Sequence, residues 1–209
     1  MTPSGGNRTR PGGQETRARI LRTAAGLFRR QGYGSTGLNQ ILAESGAPKG
    51  SLYFHFPGGK EQLAAEAVVL SGGDLGARMA TAVAAADGPR AAVTALGALL
   101  AEGLTASGYR DGCPVATVAL EQAGDAGPIH DACAATYDGW LAALRDRLAD
   151  WGASEETATA LADLALSSVQ GALLLARVRR DAGVLHSVAE RVGTLIEAQL
   201  TTATTGGKP

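Results

Sequence analysis

The stretch Ser51-Leu52-Tyr53-Phe54-His55-Phe56 holds three of the chain's nine aromatic residues within four positions. Lys49 and Lys60, two of its three lysines, bracket it. Helical spacing divides these residues between two faces. Leu52 and Phe56 are four apart and point inward, leaving Tyr53 and His55 for a groove or a backbone. Tyr53 can donate its hydroxyl to phosphate or pack on a thymine methyl, and His55 can reach phosphate or a base edge. Phe54 could serve either side and is expected to pack against the first helix. An aromatic cluster closing a small core accounts for Phe56 without any function; the lysine brackets and the upstream pattern ask for more.

Upstream, Ser45-Gly46-Ala47 separates two short helical segments, the spacing a helix-turn-helix requires. Leu38, Ile41 and Leu42 supply the apolar face of the first segment. The second opens on Pro48-Lys49-Gly50-Ser51, small residues and a lysine that permit close approach to a duplex, with backbone N–H groups toward phosphate. Before both lies an amphipathic helix, Gln14 to about Gln31. Ile20, Ala24, Leu27 and Phe28 form its core stripe, and Arg19, Arg22 and Arg29 lie along another face. Charge follows the same division. Residues 1–60 carry nine Arg/Lys against two Asp/Glu, and residues 61–209 carry ten against eighteen. A basic first third on an acidic remainder describes a polyanion-binding head on a soluble body.

The remaining signals are helical nearly throughout, giving an all-α chain of about nine helices. Residues 1–13 are expected to be a disordered arm and 201–209 a disordered tail, with a head over 14–59 and a body over 60–200. Ser35-Thr36 offers an N-cap for the second helix. A long fourth helix starts near Lys60 and is interrupted or bent at Gly72-Gly73. Pro89, Pro114 and Pro128 each open a helix, Ser154 caps the eighth, and Gly183 ends it. The longest charge-free apolar run, Leu164–Ala176, is short for a bilayer, so no membrane association is expected. Two cysteines, Cys113 and Cys133, without a CxxC indicate neither a disulfide framework nor a zinc site, and no cofactor is expected. A cytoplasmic location follows from these features.

The segment GLFRRQGYGSTGLNQILAESGAPKGSLYFHFPGGKEQL (26–63) resembles the DNA-binding domain of TetR/AcrR-family transcriptional regulators. The correspondence runs through Gly32-Tyr33, Thr36, Ile41, Gly46, Lys49-Gly50, Leu52-Tyr53, His55-Phe56 and Lys60-Glu61 with Leu63. Two departures are Leu42-Ala43 after the isoleucine and one extra residue in Pro57-Gly58-Gly59. GCPVATVALE (112–121) and GALLLAR (171–177) resemble the LmrA/YxaF-like subgroup. The resemblance implies that Thr36 caps the second helix and touches phosphate. It also implies that Lys49, Gly50, Ser51, Tyr53 and His55 form the recognition surface, and that Lys60 holds phosphate. Arg19 joins this set from the first helix.

A single helix-turn-helix binds weakly, so a homodimer on a palindromic operator is expected. The eighth helix is apolar nearly all round, and the last repeats apolar residues at helical spacing. Together they present Leu164, Ser168, Gly171, Leu175, Val188, Val192 and Leu195 to a partner. Tyr109, Cys113, Tyr137 and Trp140 are the expected lining of an effector pocket, with a neutral or aromatic ligand. The resulting expectation is a repressor released by a small molecule. Three alternatives stand beside it: an effector-independent or activating regulator, a sequence-neutral architectural protein, and a thiol sensor using Cys113, which precedes a helix start. A phosphate-binding loop fails, because Phe54 and Glu61 stand where a Walker motif needs Gly and Ser/Thr, and no catalytic set is suggested.

Overall fold

The computed structural model describes residues 11–122 and 126–205. Among them are nine α-helices and no strand: α1 (Pro11–Gln31), α2 (Leu38–Ser45), α3 (Ser51–His55), α4 (Gly59–Ala84), α5 (Pro89–Ala106), α6 (Ala116–Gln122), α7 (Pro128–Asp150), α8 (Glu155–Arg179) and α9 (Gly183–Thr205).

The head is built by α1–α3 and the first turns of α4. Ile20, Leu27 and Phe28 of α1 are buried with Ile41, Leu52, Phe56 and Leu63. Each such side chain contributes about 1.5–3 kcal/mol by leaving water. Gly46 closes α2 in the left-handed region (φ 64°), its N–H turned back to the Ala43 carbonyl, a conformation glycine adopts without a Cβ penalty.

In the body, α5 lies against α9, α4 against α7, and α8 against α5, α7 and α9. The α5–α9 crossing is close enough that a Cβ on Gly97 would fall 2.4 Å from the Ala189 Cβ. By length and composition α8 could cross a membrane, with a mean hydropathy of 1.5 over its apolar window. Its inner side, from Ala158 and Leu161 to Leu173 and Ala176, is instead packed in the helical body.

Several boundaries differ from the sequence expectations. Helix α1 starts at Pro11, so 11–13 are helical where an arm was expected; residues 1–10 lie outside the described residues. Helix α9 runs through 201–205, and 206–209 again lie outside. The N-cap of α2 is Gly37, without a side-chain cap. Helix α6 begins at Ala116, two residues after Pro114. Pro89, Pro128 and Ser154 open α5, α7 and α8 as expected, Ser154 Oγ accepting from the Thr157 N–H at 3.3 Å. Helix α8 ends at Arg179 and Gly183 begins α9. Helix α4 passes through Gly72-Gly73 without interruption. A Cβ on Gly72 would meet Thr136 Cγ2 at 2.5 Å, and the Gly72 carbonyl accepts from Trp140 Nε1 at 3.1 Å. Gly72 therefore serves a close approach to α7.

Candidate nucleic-acid interface and body cavity

Helix α3 is only five residues long, so it has one inward face, and Leu52 fills it with Phe56 just beyond. Tyr53 and Phe54 are left 64% and 73% exposed. Phe54 does not pack on α1 as expected; it stands edge-on to His55, ring centroids 4.9 Å apart. Lys49 and Gly50 are exposed and His55 is half-buried. Ser51 spends both its N–H (2.9 Å) and its hydroxyl (2.6 Å) on the Pro48 carbonyl. Arg19 and Arg22 are exposed on α1.

Other basic groups are already engaged. Arg29 pairs with Asp111 at 2.6 Å. Arg17 pairs with Glu66 and lies 4.8 Å from the Phe56 ring centroid. The Lys60 ammonium sits 4.2 Å above the Tyr33 ring. Burial lowers its pKa, an effect Glu121 partly offsets. Thr36 departs most from its implied role. It is fully buried, and its hydroxyl donates to the Gly32 carbonyl at 2.6 Å. A buried, committed hydroxyl neither caps α2 nor reaches phosphate in this conformation.

The body holds a cavity of about 420 Å³ between α4, α5, α7 and α8. Met79 and Val83 of α4, Leu96 and Leu100 of α5, Trp140 and Leu144 of α7, and Val169 of α8 supply its apolar wall. Asp146, Arg147, Asp150 and Gln170 supply its polar part. Arg147 reaches Asp150 at 3.3 Å and lies 4.7 Å from the Trp151 ring centroid. Charged groups thus line a cavity for which none was expected.

Of the four expected lining residues, only Trp140 faces this cavity. Tyr137 is edge-on to Trp140 at 5.5 Å but opens onto a separate shallow depression with Leu164 and Ser167. Cys113 is buried, with Tyr137 and Gln170 against its thiol, and burial pushes that thiol up. This is the reverse of the lowered pKa a reactive thiolate needs. Tyr109 takes a left-handed backbone (φ 62°) on the loop after α5, with the Arg180 guanidinium 5.4 Å from its ring centroid. Rings were the wrong signal for this wall. Gly76, Met79, Ala80 and Val83, stepping by three and four along α4, were the available one.

On the outer side of α8, Leu164, Leu174, Leu175 and Val178 are 39–74% exposed, and Leu195 of α9 is 55% exposed. Gly171 lies among them with open space above it, and Ser168 and Val188 are half-buried. Val192 is a correction. It is 6% exposed, because the inward face of α9 runs Leu185, Ala189, Val192, Ile196 and Leu200. It belongs to the core of the chain itself. Leu174 and Val178 join the exposed face without having been anticipated.

A small basic head that displays rings, joined to a hollow helical body, is the build of a helix-turn-helix transcriptional regulator. Comparison with known proteins narrows the class. Residues 20–67 match the family described as bacterial regulatory proteins, tetR family. Residues 89–191 match the C-terminal domain described as transcriptional regulator LmrA/YxaF-like. The HTH-type transcriptional regulator LmrA of Bacillus subtilis is 34% identical over 88% of this chain and 97% of its own length. YxaF of the same organism, an HTH-type transcriptional regulator, is 36% identical over 87% and 95%. The chain belongs to the TetR family of transcriptional regulators and is not an enzyme. Among solved structures, a TetR transcriptional regulator from Chloroflexus aurantiacus superposes with a TM-score of 0.75 at 26% identity, covering 90% of this chain and 97% of that one. A TetR-family regulator from Streptomyces coelicolor shares the fold at TM-score 0.76 and 24% identity, covering 90% and 96%.

Proposed function

We propose that the protein is a homodimeric, cytoplasmic repressor that binds a palindromic operator through α3 and releases it when a small molecule fills the body cavity. The head over 14–59 meets DNA and the body over 60–200 carries the signal and the partner. The observation that carries this reading is the pair of exposed rings, Tyr53 and Phe54, beside exposed Lys49 and Gly50. A five-residue helix with two uncovered rings has no reason to expose them to water unless another surface covers them. Phe54, lacking any polar atom, suits a thymine methyl or a sugar; Tyr53 adds a hydroxyl for phosphate. Lys49, Arg19 and His55 supply backbone contacts, and Lys60 reaches phosphate only by leaving the Tyr33 ring.

The uncovered apolar side of α8, with Leu195 of α9, supports a four-helix dimer contact. Helix α4 supports the coupling. Its far half lines the cavity with Met79 and Val83, and its first turns anchor Leu63 in the head core. An unbroken helix acts as a rigid lever, so a ligand that displaces its far half resets the spacing of the two recognition helices. The effector would carry an apolar or aromatic body for Trp140 and a polar end for the Asp146, Arg147 and Asp150 side.

The test is a mobility shift on the DNA flanking the protein's own gene and on duplexes enriched by the protein from a random pool. Excess nonspecific competitor is present throughout. Wild-type protein should enrich a palindrome and hold it against competitor. Tyr53→Ala with Phe54→Ala should weaken that binding by about 1–3 kcal/mol or more. Binding that competitor abolishes, unchanged in the variant, would leave only charge attraction and defeat the reading.

A further inference from the structure

The two body segments GCPVATVALE and GALLLAR meet at one place, the C-terminal end of α1. A helix ends with carbonyls that lack partners within it, and something else must satisfy them. Here the body does so. The Arg29 carbonyl accepts from the Gly112 N–H at 3.3 Å, and the Arg30 carbonyl accepts from the Arg177 guanidinium at 2.9 Å. The same Arg177 nitrogen donates to the Arg110 carbonyl at 2.9 Å, so one side chain of α8 bridges the end of α1 and the loop before α6. A cation at this end also suits the helix dipole. Arg177 passes over Gly112 so closely that a Cβ there would lie 2.9 Å from the guanidinium. At the other end of the first segment, the Glu121 carboxylate accepts from the Gly34 N–H. It also rests on Gly32, where a Cβ would fall 1.8 Å from its oxygen. Gly32 and Gly34 form the turn that leads into α2.

Both grips trace back to the cavity. Helix α8 lines it with Ala165, Val169 and Gln170 and carries Arg177 two turns on. Gln170 also faces the Cys113 thiol, at the start of the segment that ends in Glu121. We propose that Arg177 and Glu121 are positioning residues. They hold the end of α1 and the Gly32–Gly34 turn, and through them a displacement of α8 or α6 reaches the helix-turn-helix by a route separate from α4. This rests on the DNA-binding reading above and specifies how the body regulates it.

The experiment compares wild type with Arg177→Met, Arg177→Lys and Glu121→Ala as full-length protein. Amide exchange is read at residues 31–36 and binding is read on a duplex that wild type enriches from a random pool. Arg177→Met should speed exchange at 31–36 and weaken duplex binding, each about tenfold, while sedimentation and exchange in α5 and α9 stay as in wild type. Glu121→Ala should act in the same direction. Arg177→Lys should recover part of both effects, because it keeps a donor but loses the fork. A contact that only stabilises the fold would lower the melting temperature and leave the folded dimer's affinity unchanged, and that result overturns the proposal. Unchanged exchange at 31–36 overturns it as well. A wild type that enriches no duplex is a different failure: it defeats the DNA-binding reading and removes this one with it.

Discussion

Head and body are packed from different residues. The head core is made of large side chains, Ile20, Leu27, Phe28, Ile41, Leu52, Phe56 and Leu63, each 2% exposed or less. The inner side of α8 is mostly alanine: Ala158, Ala162, Ala165, Ala172 and Ala176. Beside its buried leucines, the body also carries large aliphatics on its outside, at Leu164, Leu174, Leu175, Val178 and Leu195. The head exposes two rings among cations, a surface suited to a polyanion. The body exposes uncharged side chains that only another apolar surface can cover. The head closes its apolar faces on itself, and the body leaves one apolar face uncovered.

The sharpest way to break this contrast is to charge the body's outer face. Leu175→Glu with Leu195→Glu should raise the dimer dissociation constant by about a thousandfold or more. Analytical ultracentrifugation would then show monomer at micromolar protein, with helix content preserved. A wild type already monomeric under those conditions would remove the contrast altogether. A step smaller is the head core. Phe28→Ala should cost about 3–5 kcal/mol by opening a cavity among fitted side chains. Thermal melts should show this loss, while the assembled body still sediments as a dimer. Loss of the dimer along with the head would mean the two halves do not stand apart.

The smallest effect concerns the body's thiols. Burial, and after it the neighbouring Cys113, together push Cys133 from its ordinary value of 9.0 up to about 11. A group whose pKa is raised by folding contributes stability below its unfolded pKa and loses it as pH climbs through the folded one. The melting temperature should therefore fall between pH 9 and 11. Cys133→Ala should soften that fall by roughly 2–4 °C. An identical profile in the variant would show that the thiol is not part of it.

The sequence reveals the head far better than the body, and the reason is physical. A helix-turn-helix needs particular side chains at particular places: Gly46 for a left-handed turn, Leu52 and Phe56 for the single inward face of a short helix, Tyr53 outside. Such requirements leave a readable pattern. Two expectations inside the head fail for different reasons. Phe54 is given a packing face that a five-residue helix does not have, and Thr36, whose role comes from the resemblance, is buried away from the surface. In the body, the cavity is walled by ordinary aliphatics and alanines whose helical spacing is that of any core. The repeat of Gly76, Met79, Ala80 and Val83 marks one face of α4, but not whether that face meets space or a neighbour. Periodicity found α8 and α9, but it could not say that Val192 turns inward while Leu174 and Val178 turn out. The Arg177 grip on α1 was invisible for another reason. It depends on one guanidinium reaching across 147 positions to a backbone carbonyl, and a carbonyl has no sequence signature.

The alanines of the cavity wall, Ala80, Ala84, Ala143 and Ala165, have a consequence on the timescale of descent. Alanine and valine codons differ by a single middle base. Each of these positions is one point mutation from adding bulk to the cavity, and each addition reshapes what the cavity admits. The head has no such freedom, since its fitted rings and aliphatics lose stability with every change of volume. Under the proposed function, a gene built this way drifts toward new chemical cues while keeping its operator, so descendants inherit one regulatory circuit attached to different small molecules.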